Sequence, residues 1–165
     1  MAARLEASGA DVTQLEVILL LPRQSVLKLV RRCPALEALT GRDLMNRMMD
    51  LKLLFPQNDV ARMIELVPKG FLTSEWGETK AQISEAAEVL RSGLKGADVD
   101  AIFDEDPTIL FESPDSLRYG IQRMEELWGI DENILKNSWP DELALAVRAL
   151  GHNGAPDSID KIGSE

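Results

Sequence analysis

The chain has 165 residues, 45% of them apolar, and 28 Asp/Glu against 18 Lys/Arg give a net charge of −10. That apolar share suffices for a continuous core, the longest apolar run (Val17 to Leu21) is far too short to cross a bilayer, and one cysteine excludes an internal disulfide. The single histidine, His152, and the single cysteine, Cys33, have no evident partners for a zinc site or a nucleophile–base pair, so the sequence predicts no catalytic residue, no metal, no cofactor and no enzyme.

In chain order, Met1 to Ala10 reads as a flexible N-terminus without an evident cleavable targeting segment. An opening helix over about Val12 to Leu20 supplies Val17 and Leu21 to the core. A short helix then ends at Cys33, because Pro34 lacks the N–H a helix interior needs and disfavours the α conformation in the residue before it. Val67, Asp106 and Trp139 precede Pro68, Pro107 and Pro140 and mark the ends of three further short helices. After each proline comes a longer apolar-striped helix, carrying Leu44, Met48, Leu51 and Phe55, then Ile83, Ala87, Leu90 and Leu94, then Leu117, Ile121, Met124 and Trp128. Thr40 with Asp43 reads as a capping box, and Ser113-Pro114-Asp115 as an N-cap with proline in the first turn. Asn58 and Asp131 are the expected caps of short helices, with Gly93 and Gly129 as C-terminal caps. Cys33 is expected as a small buried residue. Gly151 to Glu165 reads as a flexible tail, leaving residues 11–150 as one domain.

The spacing is periodic. Pro22 and Pro56 stand 34 apart, and Pro34, Pro68, Pro107 and Pro140 follow one another at 34, 39 and 33. The long-helix residues keep offsets 10, 14, 17 and 21 from Pro34 and Pro107, and lie five later after Pro68. A five-residue insertion, Thr73 to Gly77, is therefore expected in a loop and not in a helix. The chain reads as an all-α array of helical repeats, three complete units with a half-unit at each end.

A short apolar helix, a Pro-x-x-Leu corner (Pro107-Thr108-Ile109-Leu110 is the fullest copy) and a longer amphipathic helix on a period near 34 resemble the mitochondrial transcription termination factor (mTERF) family, over about Asp11 to Leu150. Pro34-Ala35-Leu36, Pro68-Lys69-Gly70-Phe71-Leu72 and Pro140-Asp141-Glu142-Leu143 are looser copies. The resemblance implies a left-handed α-solenoid in a chloroplast or mitochondrion, binding duplex DNA or RNA along a basic groove. This chain departs from that pattern by being short and acidic.

Charge divides it further. Residues 1–70 hold 10 Lys/Arg against 8 Asp/Glu, and residues 71–165 hold 8 against 20. Duplex affinity comes largely from phosphate neutralisation, so only the first part suits nucleic acid, through Arg23, Lys28, Arg31, Arg32, Arg42, Arg47 and Arg62; a solvated face is the other reading of these cations. In the acidic part, Asp98 to Asp106 fails as a calcium loop, because Phe103 and Ile109 stand where glycine and glutamate are required. The leading expectation is a non-catalytic interaction protein, an accessory or linker subunit of an organellar assembly, whose partner offers a basic surface to residues 71–165. Candidate interface residues are Glu75, Trp76 and Glu78 in the insertion, and Asp104 and Glu105. Trp128 and Trp139 are expected in the core, or, if exposed, as anchors for another protein.

Overall fold

The structure is a computed structural model that describes residues 12–129 and 131–152. All regular structure among the described residues is helical: α1 (Val12–Leu19), α2 (Arg23–Arg32), α3 (Gly41–Leu54), α4 (Val60–Leu66), α5 (Pro68–Phe71), α6 (Trp76–Gly93), α7 (Val99–Glu105), α8 (Pro114–Trp128), α9 (Glu132–Asn137) and α10 (Pro140–His152), with 3-10 turns at Pro34–Ala38 and Pro107–Phe111. The expected N-terminal segment and most of the expected tail lie outside the described residues. Gly151 and His152, assigned to that tail from sequence, belong to α10.

Local chemistry sets most helix ends. Cys33, Val67 and Asp106 cap α2, α4 and α7, and a proline opens the turn that follows each. α9 departs from this rule. It stops at Asn137, the Ser138 hydroxyl donates to the Ile134 carbonyl at 2.7 Å, and Trp139 stands between the helices. Thr40 and Asp43 form the reciprocal capping box, and Ser113 accepts from the Ser116 amide at 3.1 Å. Asp59, not Asn58, caps α4: its carboxylate accepts from the Arg62 amide at 3.1 Å, while Asn58 is buried and its carbonyl accepts from Lys52 Nζ at 2.6 Å. Asp98 and Asp131 cap α7 and α9 in the same manner. Gly129 ends α8 in the left-handed conformation, φ 57°. Gly93 is the last residue of α6, and a Cβ there would lie 2.7 Å from Ile121 Cδ1, so glycine serves close packing at that point.

The insertion is only partly a loop. Thr73 to Glu75 link α5 to α6, but Trp76 and Gly77 form the first helical turn, opened by a hydrogen bond from the Thr79 amide to the Glu75 carbonyl at 3.1 Å.

By packing, the chain falls into two compact units, Met1–Lys80 and Ala81–Glu165. In the first unit α1 packs on α2 and α3, and Leu15, Leu19, Val26, Leu29, Leu44, Leu51, Phe55 and Met63 are buried. Cys33 is buried too. Val17 is 70% exposed, because α1 turns Val12, Leu15 and Leu19 inward instead. The helix stops at Leu19, and Leu20 takes a left-handed φ of 55° that L-residues adopt only at a cost.

In the second unit α10 lies along α8 and also against α7. A Cβ on Gly120 would lie 2.1 Å from the Val147 carbonyl oxygen, and one on Gly151 would lie 2.5 Å from that of Ser116. The two backbones therefore touch, and the pairings 120 with 147 and 116 with 151 make the helices antiparallel. Leu117, Ile121 and Met124 are buried like Leu44, Met48 and Leu51. The fourth member of the stripe differs: Phe55 is 0% exposed and Trp128 57%.

Candidate protein interface

Trp76, singled out from sequence as a docking residue, is held by its own unit. Its indole Nε1 donates to Asp50 Oδ2 at 2.9 Å, and the Arg47 guanidinium lies 5.0 Å from its ring centroid. Lys80 Nζ also reaches Asp50, at 2.6 Å. The Lys80 and Trp76 donors together hold the Asp50 carboxyl below the usual carboxylate range. Arg47 in turn donates to the carbonyls of Phe71 and Thr73, at 3.2 and 2.7 Å. This cluster ties α3 to the segment leading into α6. Glu75 and Glu78 flank Trp76 and are exposed.

Of the seven cations named for nucleic acid, Arg47 is buried and spends its donors on backbone carbonyls, which removes it from phosphate reach. Arg23, Lys28, Arg31, Arg32, Arg42 and Arg62 are exposed on α2, α3 and α4. Arg23 lies 3.7 Å from Glu16, and Arg32 reaches the Glu65 carbonyl at 3.4 Å.

Several acids of the second unit serve its fold. Arg148 on α10 lies 2.9 Å from both Asp106 and Glu112 and donates to Thr108 Oγ1 at 2.7 Å, while His152 Nε2 lies 2.8 Å from Glu112. These contacts clamp α10 onto the Pro107 turn. Asp100 pairs with Arg91 at 2.8 Å. Asp104 is half-buried and Glu105 exposed, both on α7. Among the described residues there is no group of three metal-ligating side chains.

Exposed apolar surface lies elsewhere. α8 ends at Trp128, and the antiparallel α10 begins at Pro140, just after Trp139. Trp128 and Trp139 therefore stand at the same end of this helix pair, 57% and 71% exposed. Leu127 and Ile134, on the chain between or beside them, are 51% and 49% exposed. Residues 125–145 carry Glu125, Glu126, Asp131, Glu132, Asp141 and Glu142 against one base, Lys136. Two solvent-facing indoles with acids around them are suited to hold a basic, partly apolar protein surface.

The sequence reading missed a second apolar face. Met45, Met49 and Leu53 on α3 are 54%, 61% and 79% exposed. Their 4-4 spacing was visible, but it lies beside the buried stripe of Leu44, Met48 and Leu51 and merges with it in a count of apolar residues.

No protein-family model, curated protein or solved structure matches this chain.

Proposed function

We propose that this chain is a non-catalytic helical-repeat interaction protein, an accessory or linker subunit of an organellar protein assembly, built as a short mTERF-like solenoid of three complete repeats with a half-unit at each end. The observation that carries the reading is Trp128. In the repeat alignment it corresponds to Phe55 and Leu94, which are 0% and 2% exposed, while Trp128 is 57% exposed. A position that is covered in the two preceding repeats is open in the third, with Trp139 at the same end of the α8–α10 pair. Stacked repeats bury such positions on a neighbour, so a bound protein takes the neighbour's place. The acids of residues 125–145 select a partner with Lys and Arg on its surface. The organellar setting rests on the mTERF resemblance.

The test is gentle cross-linking in organelle extract, comparing the native chain with Trp128→Ala/Trp139→Ala. Proteins recovered with the native chain and lost from the variant support the reading. Equal recovery with both chains overturns it.

The exposed cations of α2, α3 and α4 favour a second reading, organellar nucleic-acid binding in transcription or RNA handling through Arg23, Lys28, Arg31, Arg32, Arg42 and Arg62. A mobility-shift titration at low salt decides it, since absence of binding to duplex DNA and to RNA at ~10⁻⁵ M, within the usual non-specific range, excludes this role.

A further inference from the structure

The exposed face of α3 is built differently from the corresponding faces of the other long helices. At 100° per residue, Arg42, Met45, Asn46, Met49, Lys52 and Leu53 fall within an arc of about 120°, and all six are exposed. No acid lies in that arc: Asp43 is bound to Thr40 in the capping box, and Asp50 faces Trp76 and Lys80. The residues matching Met45, Met49 and Leu53 are Ser84, Glu88 and Ser92 in α6, and Arg118, Gln122 and Glu126 in α8. Both of those rows are polar. The α3 row is the apolar exception, and its charged neighbours are Arg42 and Lys52.

The second unit carries the complement. Trp128 and Trp139 are apolar and exposed, and the segment around them has six acids against one base. One face is apolar with basic flanks, the other apolar with acidic flanks, and both occur on every copy of the chain.

We infer that the chain associates head to tail with a second copy of itself, the α3 face of one copy receiving Trp128 and Trp139 of the next. Flexible methionines adapt to the contours of an indole, and sulfur–aromatic contacts are favourable. The flanking charges steer the two different faces together and set each face against its own kind, which favours a heterologous contact over a two-fold one. Association is accordingly weakened by salt. The inference rests on the reading of this chain as an assembly protein and names the occupant of its tryptophan end.

Sedimentation velocity of the purified chain across a concentration series tests it, with Met49→Glu and Trp128→Ala as single variants and circular dichroism as the check on folding. The native chain is expected to grow beyond one-chain mass with concentration, less so at high salt. Each variant alone loses one face and is expected to weaken association by about thirtyfold or more, the effect of a lost hot-spot side chain. A mixture of the two variants retains one intact α3 face and one intact tryptophan end. It is expected to form one-to-one pairs and no larger species. A native chain that stays monomeric at ~10⁻⁴ M, in the range of weak self-association, overturns the inference, and so does a mixture no more associated than its components. A monomeric chain that still loses its extract partners on Trp128→Ala/Trp139→Ala overturns self-association while upholding the reading on which it rests.

Discussion

Trp76 in the first unit and Trp128 in the second both lie at a terminus of a long helix, yet their surroundings are opposite. Trp76 opens α6 half-buried, with Asp50 accepting from its indole and Arg47 over its ring. Trp128 closes α8 with 57% of its surface in solvent, at the same end of the helix pair as Trp139. The difference lies in what surrounds each ring and not in the residue. A tryptophan whose N–H and face are both satisfied within its own unit contributes to folding, whereas one left open beside carboxylates is available to a partner. The acids divide in the same way, Asp50, Asp106 and Glu112 holding internal cations while Glu125, Glu132 and Asp141 stand exposed.

The largest effects are expected where the two units are alike. Leu51 and Met124 occupy matching positions and are both buried, so truncating either to alanine is expected to cost about 2–5 kcal/mol in chemical denaturation. A loss below about 1 kcal/mol at one of them breaks the matching of the cores from which the comparison starts. Gly120→Ala comes next, in the second unit alone. Its Cβ would meet the Val147 carbonyl oxygen at 2.1 Å, and because backbone atoms must move to relieve the clash, a loss of about 1–3 kcal/mol is expected. That variant also tests the close antiparallel packing that sets Trp128 and Trp139 at one end of the helix pair.

Trp76→Ala is expected to cost about 2 kcal/mol, from a hydrogen bond, a cation–π contact and apolar burial. Asp50 sharpens the point through pH. Its folded-state pKa is lowered, chiefly by the Lys80 hydrogen bond and then by that from Trp76, so the carboxylate stabilises the fold at neutral pH and this contribution fades as pH falls below the usual carboxylate value of 3.8. The difference in melting temperature between the native chain and Asp50→Asn is expected to hold between pH 5 and pH 7, within the range where carboxylates are ionised, and to shrink on acidification below about pH 4. A difference that grows on acidification contradicts the placement of Lys80 and Trp76 on Asp50.

Much of the fold was legible because helix boundaries depend on local chemistry. Thr40, Ser113 and Gly129 act as caps in the expected places, and the prolines follow three of the four expected short-helix ends. The misses have local causes as well. Asn58 and Asp59 are adjacent potential caps, and only the position of the orphan amide, on Arg62, chooses between them. α9 ends before Trp139 because Ser138 already takes an extended backbone, φ −83° and ψ 147°. The candidate sites were less legible, since exposure depends on contacts from other elements. Arg47 and Arg23 are alike in sequence, but only Arg47 meets the carbonyls of Phe71 and Thr73. Val17 sits in an apolar run, and its exposure follows from the direction in which α1 presents Val12, Leu15 and Leu19.

The most direct test compares Trp76→Ala with Trp128→Ala, reading melting temperature and association in the same preparations. The account predicts that Trp76→Ala melts earlier and keeps its association, whereas Trp128→Ala melts within about 0.5 kcal/mol of the native stability, as surface substitutions do, and loses it. A Trp128→Ala chain that is strongly destabilised, or that is stable and associates as the native chain does, would contradict the assignment of Trp128 to a partner.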